Sequence, residues 1–243
     1  MTDKTEKKEN LLLNLLLNIV IPTVILIKFS GEDALGVKNG IIVALMFPIG
    51  YGVYDFSRVK RINFFSALGV VSIFLTGGIS LLELDPKYIA IKEAAIPCLF
   101  GIATIASLYT RYPLVKTFLY NEKIIQVDKV SAALSHYGTE QRFDVSLRNA
   151  SLMIAGSFFL SSVLNYGLAR YLLVSPPGTE EFNAELGRMT ALSFPVIAVP
   201  SMLVMFMTLF YLYKSITRLT HLTLDEVFID PEAHKKQTQE DEG

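Results

Sequence analysis

Residues 189–213 read MTALSFPVIAVPSMLVMFMTLFYLY, a run of 25 positions without one charged side chain. About 20 apolar residues of α-helix cross the roughly 30 Å hydrocarbon core of a bilayer, and a central Asp, Lys or Arg there costs about 2.5–3.5 kcal/mol. Shorter charge-free runs lie at residues 10–27, 39–54, 62–82, 94–110 and 149–169. Since 19% of the 243 residues are charged, this segregation indicates a chain that crosses a membrane several times.

The six runs predict an all-α polytopic membrane protein. Its transmembrane domain is expected at residues 1–220, followed by a cytoplasmic tail at 221–243. Within the domain, the longest gap between runs, 111–148, is predicted to be a cytoplasmic amphipathic connector. The six transmembrane helices are expected at about residues 11–29, 38–54, 62–82, 89–110, 149–171 and 189–213.

The first run has one feature of a signal peptide, because Lys4, Lys7 and Lys8 precede it. It also contains Asn14 and Asn18, is longer than a typical signal-peptide core, and lacks a small-x-small cleavage site. We therefore expect it to be retained as the first transmembrane helix.

The positions of lysine and arginine predict the orientation in the membrane. Six spans place both termini on one side, and that side would carry 16 of the 22 Lys and Arg residues. The other side would carry six. Because Lys and Arg are enriched in cytoplasmic loops, both termini are expected in the cytoplasm.

The connector and the tail carry helix signals of their own. Apolar residues recur at helical spacing over 114–125, which predicts an amphipathic helix on the membrane surface. Asp128 is expected to cap a second helix at 129–137 that ends at Gly138. The connector would either touch anionic lipid or serve as a partner-binding platform. In the tail, Thr223 and Glu226 have capping-box spacing, and residues 234–243 are predicted to be disordered.

Polar residues form seams inside the apolar runs, since residues three or four apart share a helix face. The fifth span carries Asn149, Ser157, Ser161 and Asn165 at multiples of four, and the first span carries Asn14 and Asn18. The third span has a similar seam, formed by Ser72, Thr76 and Ser80. Such seams are either helix-packing contacts that bond across an interface or ligand contacts along a solute path.

A separate polar cluster is predicted at the non-cytoplasmic end of the third and fourth spans. It consists of Asp85, Lys92 and Glu93, with Pro97 one turn beyond Glu93. The side chains of Lys92 and Glu93 would reach out to the interface, or Lys92 would pair with a neighbouring carboxylate. The functional alternative is an ionisable gate.

Several classes of function lack support in the sequence. A net charge of −1 does not indicate the basic surface that a nucleic-acid-binding protein needs. One cysteine and three scattered histidines give no metal-ligand spacing, and no cofactor or phosphate-binding motif is present. Proton-coupled pumps usually have an Asp or Glu deep in a span, and no predicted span of this chain has one. We therefore expect a protein that is not an enzyme and needs no cofactor.

From the third span onward the chain resembles the bacterial septation protein A family of inner membrane-spanning proteins. The similar residues are Gly77-Gly78-Ile79-Ser80-Leu81, Asp85, Tyr88-Ile89, Lys92, Leu99-Phe100, Pro113-Leu114, Arg148-Asn149, Leu164-Asn165 and Phe182-Asn183. The chain differs from the family in lacking tryptophan and in having Glu93 where the family commonly has proline. The resemblance covers roughly residues 77–202.

The resemblance implies a protein of the bacterial inner membrane with a role in septation or envelope biogenesis. In such a membrane, the orientation predicted from Lys and Arg places Asp85, Lys92 and Glu93 on the periplasmic side. Its partners would be the lipid bilayer, other envelope or division membrane proteins, or further copies of the chain. Two functions follow as hypotheses. One is assembly with membrane partners or lipids. The other is transport of a small solute through a crevice lined by the first and fifth spans.

Overall fold

The computed structural model describes residues 13, 15–59, 64–110, 113–114, 116, 120 and 125–228. Helices dominate these residues, as the all-α prediction requires, and the only β pairing among them is an isolated bridge between Ile125 and Phe228. In chain order, the helices are α1 (Leu16–Lys28), α2 (Val37–Val59), α3 (Phe64–Leu81), α4 (Lys87–Ser107), α5 (Val127–Tyr137), α6 (Glu140–Leu172), α7 (Glu180–Thr220) and α8 (Leu224–Val227).

Four of these helices are long and apolar enough to cross a membrane, namely α2, α4, α6 and α7. Their length and composition fit the predicted membrane class of the fold. Large apolar side chains on them face outward, among them Leu203, Phe206 and Phe210 on α7, which are 57%, 57% and 64% exposed. In water, each exposed side chain would forgo about 1.5–3 kcal/mol of burial free energy, whereas lipid is an apolar solvent for the same surface.

Helices α1 and α3 coincide with the first and third predicted spans. Helix α1 comprises 13 residues, or about 20 Å of length at 1.5 Å per residue. Helix α3 comprises 18 residues and is free of charge. Three helices extend well beyond the predicted spans: α2 continues to Val59 rather than 54, α6 begins at Glu140 rather than near 149, and α7 begins at Glu180 rather than at 189.

The chain divides into two compact units. Unit 1 comprises residues 1–96 and 162–199, and unit 2 comprises residues 97–161 and 200–243. The division crosses α4, α6 and α7 within their apolar parts.

In unit 1, α1 packs directly on the first half of α7. A Cβ atom added to Gly187 would lie 3.1 Å from the Thr23 backbone oxygen and 3.1 Å from the Leu26 Cβ, so only glycine allows this approach without a shift. The Thr23 hydroxyl donates to the Gly187 carbonyl oxygen at 3.4 Å. A core that includes Leu26, Ile41 and Phe182 surrounds the contact.

Asn183 fixes the turn between α1 and α2. Its side chain is fully buried, and its amide donates to the Ser30 hydroxyl at 3.0 Å and to the Val37 carbonyl at 2.8 Å. A Cβ atom on Gly40 would lie 2.6 Å from that hydroxyl, which explains a glycine at this position. The Asn183 side chain therefore ties the turn to α7 through these two buried hydrogen bonds.

In unit 2, α5 and α8 pack on the ends of α6 and α7. Val130, Leu134, Phe143, Ile216 and Val227 are all buried in one core there. The Gln126 side-chain amide donates to the Phe228 carbonyl oxygen at 3.1 Å, and this bond joins the connector to the tail.

The helix signals of this region are mostly confirmed. Gly138 ends α5 in the left-handed conformation, with φ of 62°. The cap of α5 is Gln126, however, so the prediction that Asp128 caps it is wrong; Asp128 lies in the first turn. The Thr223 backbone N–H and hydroxyl both donate to the Glu226 carboxylate, at 2.9 and 3.0 Å, as the capping-box spacing indicates. Most of 114–125 and all of 234–243 lie outside the described residues.

Candidate functional site: a polar cavity in unit 1

A cavity of about 360 Å³ lies inside unit 1. Apolar side chains such as Leu26, Ile41 and Met189 form most of its wall. Polar groups enter it from four helices: Asn18 from α1, Ser72 and Thr76 from α3, Lys92 and Glu93 from α4, and Thr190 from α7. A mostly apolar wall with few convergent polar groups is the usual composition of a small-molecule site.

Breaks in helix regularity occur in three of the helices that line this cavity, α1, α2 and α7. Pro22 and Pro48 line it, and Pro48 lies within α2, where it removes one backbone hydrogen bond. Leu16–Val20 and Phe194–Ala198 are π-helical turns, and the second contains Pro195. Prolines and π turns interrupt the regular hydrogen-bond ladder of a helix and often occur at functional sites.

Lys92 is the most constrained polar group in the cavity. Its side chain is 8% exposed, and its ammonium group contacts three oxygens: Glu93 Oε1 at 2.6 Å, Thr76 Oγ1 at 2.6 Å and Ser72 Oγ at 3.1 Å. An ammonium group has three donors, so all three are used. A buried ammonium without such partners would carry a large desolvation cost.

Helix α3 supplies two of these acceptors from consecutive turns. Ser72 and Thr76 are four residues apart and therefore lie on one face. The Thr76 hydroxyl donates its own hydrogen to the Ser72 carbonyl at 3.0 Å, so its lone pairs face Lys92. Gly77 allows α2 to approach α3 closely, because a Cβ there would lie 2.5 Å from a Leu45 methyl carbon.

The charges in the cavity cancel. Glu93 is 27% exposed and uses one carboxylate oxygen on Lys92. Its other oxygen has no hydrogen-bond or ion-pair partner within the described part of the chain. The cavity thus combines a neutral ion pair with acceptor oxygens, since the Thr190 hydroxyl already donates to the Leu186 carbonyl at 3.0 Å.

The structure joins two members of the predicted Asp85, Lys92 and Glu93 cluster. Asp85 bonds elsewhere: its carboxylate accepts the Lys87 backbone N–H at 2.8 Å and lies 3.2 Å from the Lys87 ammonium. The backbone N–H of Lys87, with the charge of Lys87 as a smaller cause, lowers the pKa of Asp85 below its usual 3.8. Asp85 thus fixes the first turn of α4.

The predicted seam of the fifth span lies on α6. The Ser157 hydroxyl donates to the Ser201 carbonyl at 3.2 Å, and the Asn149 amide donates to the Tyr211 hydroxyl at 3.1 Å. Ser161 and Asn165 also take part in interactions. None of these four residues lines the unit 1 cavity, whereas Asn18 of the first span does. Asn14 lies outside the described residues.

Sequence reasoning missed Thr190 as a cavity residue. Thr190 has no distinguishing signal, because hydroxyl residues are common in membrane helices for packing reasons. Before the structure, Asn183 was notable only as one of the residues that carry the family resemblance. A buried asparagine beside Phe182 cannot be told from an exposed one without the turn that it bonds.

Among the described residues, no three His, Cys, Asp or Glu side chains come together as a metal site would need. Within the same residues, Ser80 Oγ and Asn183 Oδ1 are buried without a partner. No family model, curated protein or solved structure matches the chain.

Proposed function

We propose that the chain is an integral protein of the bacterial inner membrane with six transmembrane helices. Helices α2, α4, α6 and α7 supply four, and the apolar helices α1 and α3 would supply the other two. The excess of Lys and Arg in alternate gaps supports two cytoplasmic termini. Fusions of a reporter active only in the cytoplasm test this: activity is expected after Gly243 and after Arg148, and activity after Gly178 would contradict it.

Within that membrane protein, we infer that the unit 1 cavity binds and carries a small polar solute. The observation that supports this most strongly is the Lys92 ammonium, which is held at three oxygens beside an open space of about 360 Å³. An ionic group costs free energy in a membrane interior, and such groups commonly mark substrate pathways. Nearby prolines and π turns resemble the broken helices from which transporters build their sites.

The geometry favours a solute without net charge. Lys92 and Glu93 cancel, so a solute that carries a charge would leave a net charge inside the cavity. Because the donors of Lys92 are all used, the cavity offers acceptors, chiefly the second Glu93 oxygen. Short polyols and amides have the matching hydrogen-bond donors.

Solute flux into proteoliposomes tests this function. We expect glycerol or urea to enter faster than into protein-free vesicles, and acetate and methylammonium to enter no faster. Glu93→Gln should slow the uptake, because the carboxylate acceptor is lost. Asn149→Ala, which changes an exposed amide outside the cavity, is the control. Uptake that is equal with and without protein for all four solutes would contradict a carrier.

A second function, assembly with envelope or division membrane proteins, is favoured by one other observation. His136, Tyr137 and His221 form an exposed aromatic cluster on unit 2, with ring centroids 4.9 and 4.8 Å apart. Aromatic residues are enriched at interaction hot spots, and the resemblance to the septation protein A family points to such partners. A photo-crosslinking residue at position 137 should capture a membrane partner or a second copy of the chain, while one at the exposed Gln141 should not. Equal capture at both positions would contradict this role.

A further inference from the structure

A second cavity, of about 680 Å³, lies in unit 2. It is bounded by the end of α4, by Pro113 and Lys116 of the connector, and by the first half of α6. Its lining is of two kinds. Ile105, Leu108, Leu147 and Leu152 are apolar, whereas Lys116, Asp144, Arg148 and Tyr109 are charged or polar.

The polar part of this cavity carries a net positive charge. Lys116 Nζ lies 3.6 Å from Asp144 Oδ1, and both side chains are about half exposed or more, so this pair nearly cancels. Arg148 lies one helical turn beyond Asp144 on α6 and has no hydrogen-bond or ion-pair partner within the described residues. A guanidinium that bonds none of these residues, on the wall of a cavity, is suited to bind an anion in a bidentate geometry.

The position of the cavity along the chain identifies the kind of anion. Arg148 immediately precedes the charge-free run 149–169, and Tyr109 lies at the end of the run 94–110. Ends of this kind lie at the membrane interface, where tyrosine rings and basic side chains meet lipid headgroups. Leu152 is 44% exposed and lines the same cavity as Arg148, so an apolar surface lies beside the charged site.

We propose that this unit 2 cavity binds an anionic phospholipid, with the headgroup phosphate at Arg148 and an acyl chain along Ile105, Leu108 and Leu152. The ligand must combine a negative headgroup with an apolar chain, because the cavity presents both surfaces. A free phosphate would leave the apolar wall without a contact. This inference goes beyond the carrier function and depends only on the insertion of α4 and α6 in a membrane.

The test uses the full-length protein, delipidated and then incubated with phosphatidylglycerol or phosphatidylcholine. Native mass spectrometry counts the bound lipids. Wild-type protein should retain phosphatidylglycerol in preference to phosphatidylcholine. Arg148→Gln should weaken this retention about fivefold, the effect of one basic residue near an anionic lipid surface. Asp144→Asn should strengthen it, because the net charge of the cavity then rises by one.

Arg142→Gln is the matched control. Arg142 is on the same helix, and its replacement removes the same charge, but it lines a different cavity with Asn149 and Tyr211. Equal losses from Arg142→Gln and Arg148→Gln would overturn the proposal, since the attraction would then be general. So would equal retention of the two lipids, or displacement of the lipid by millimolar inorganic phosphate, which would indicate a free-anion site. Circular dichroism checks the fold of each variant.

Discussion

The Lys92 ammonium lies 2.6 Å from the Glu93 carboxylate, although the two residues are consecutive on α4. Consecutive side chains leave a helix about 100° apart and do not ordinarily face each other. The two side chains must therefore bend together, and Ser72 and Thr76 on α3 hold Lys92 in that position. The pair connects α4 to α3 and defines the polar end of the unit 1 cavity.

We expect Lys92→Met to lower the free energy of unfolding by about 3 kcal/mol, the cost of leaving one partner of a buried ion pair without its counter-charge. The double variant Lys92→Met with Glu93→Leu should recover most of that loss, because no charge then remains. The free energy of unfolding of each variant is measured in detergent micelles by titration with dodecyl sulfate.

Lys38→Met is the control for this prediction. Lys38 and Glu83 are 3.7 Å apart and their side chains are 70% and 51% exposed, so the change should cost at most about 1 kcal/mol. If Lys92→Met were as stable as Lys38→Met, the pair would have no structural role.

Gly187→Leu should destabilise unit 1 by about 1–3 kcal/mol, the usual cost of inserting atoms into a packed contact. Leucine at this position would push α1 away from α7, because the Thr23 backbone and Leu26 Cβ leave no room. Gly167→Leu on α6 is the control, since nothing lies within 4 Å of a Cβ atom there. The melting temperatures of the two variants are measured by thermal unfolding. Equal melting temperatures would contradict the close contact of α1 with α7 at Gly187.

The apolar parts of α2, α4, α6 and α7 could be predicted from sequence, because charge is segregated along the chain at one length scale, the thickness of a bilayer. The extensions at Glu140 and Glu180 could not, since charged residues form helix as readily as apolar ones once caps such as Thr179 are present. The Thr179 hydroxyl accepts the Phe182 N–H at 3.2 Å, and this bond sets the start of α7.

The candidate site could be predicted only in part. Lys92 and Glu93 stood out because charge near an apolar run is costly, and the spacing of Ser72 and Thr76 marked one face of α3. That these two pairs meet depends on how α3 packs against α4, which a single sequence does not contain. The hydroxyls of α6 had an equally regular spacing, yet Ser157 bonds a backbone carbonyl of α7.

Asn183→Ala should loosen the turn between α1 and α2. The amide provides the hydrogen bonds to Ser30 and Val37 at 3.0 and 2.8 Å, and leaving a buried acceptor unsatisfied costs about 1–3 kcal/mol. Hydrogen–deuterium exchange over residues 30–37 should increase by at least tenfold, while Asn149→Ala leaves it unchanged. Unaltered exchange in Asn183→Ala would show that other contacts hold the turn.

The cap of α8 should respond to acid. The Thr223 backbone N–H, followed by the Thr223 hydroxyl and Lys129, lowers the pKa of Glu226 below its usual 4.5. A lowered pKa in the folded state means that the charged form stabilises the fold, fully above about pH 4.5, and that this contribution is lost as the pH falls through the folded pKa. Above pH 5, amide exchange of residues 223–228 should therefore be slower in the unaltered protein than in Glu226→Gln by a constant factor. Below pH 4.5 this difference should shrink, because the protonated carboxyl no longer stabilises the cap. Thr223→Pro removes the Thr223 N–H and should move the pKa of Glu226 back toward its usual value. Carbon-detected titration of the Glu226 carboxyl measures this change. A Glu226 pKa at or above 4.5 in the unaltered protein would contradict the cap.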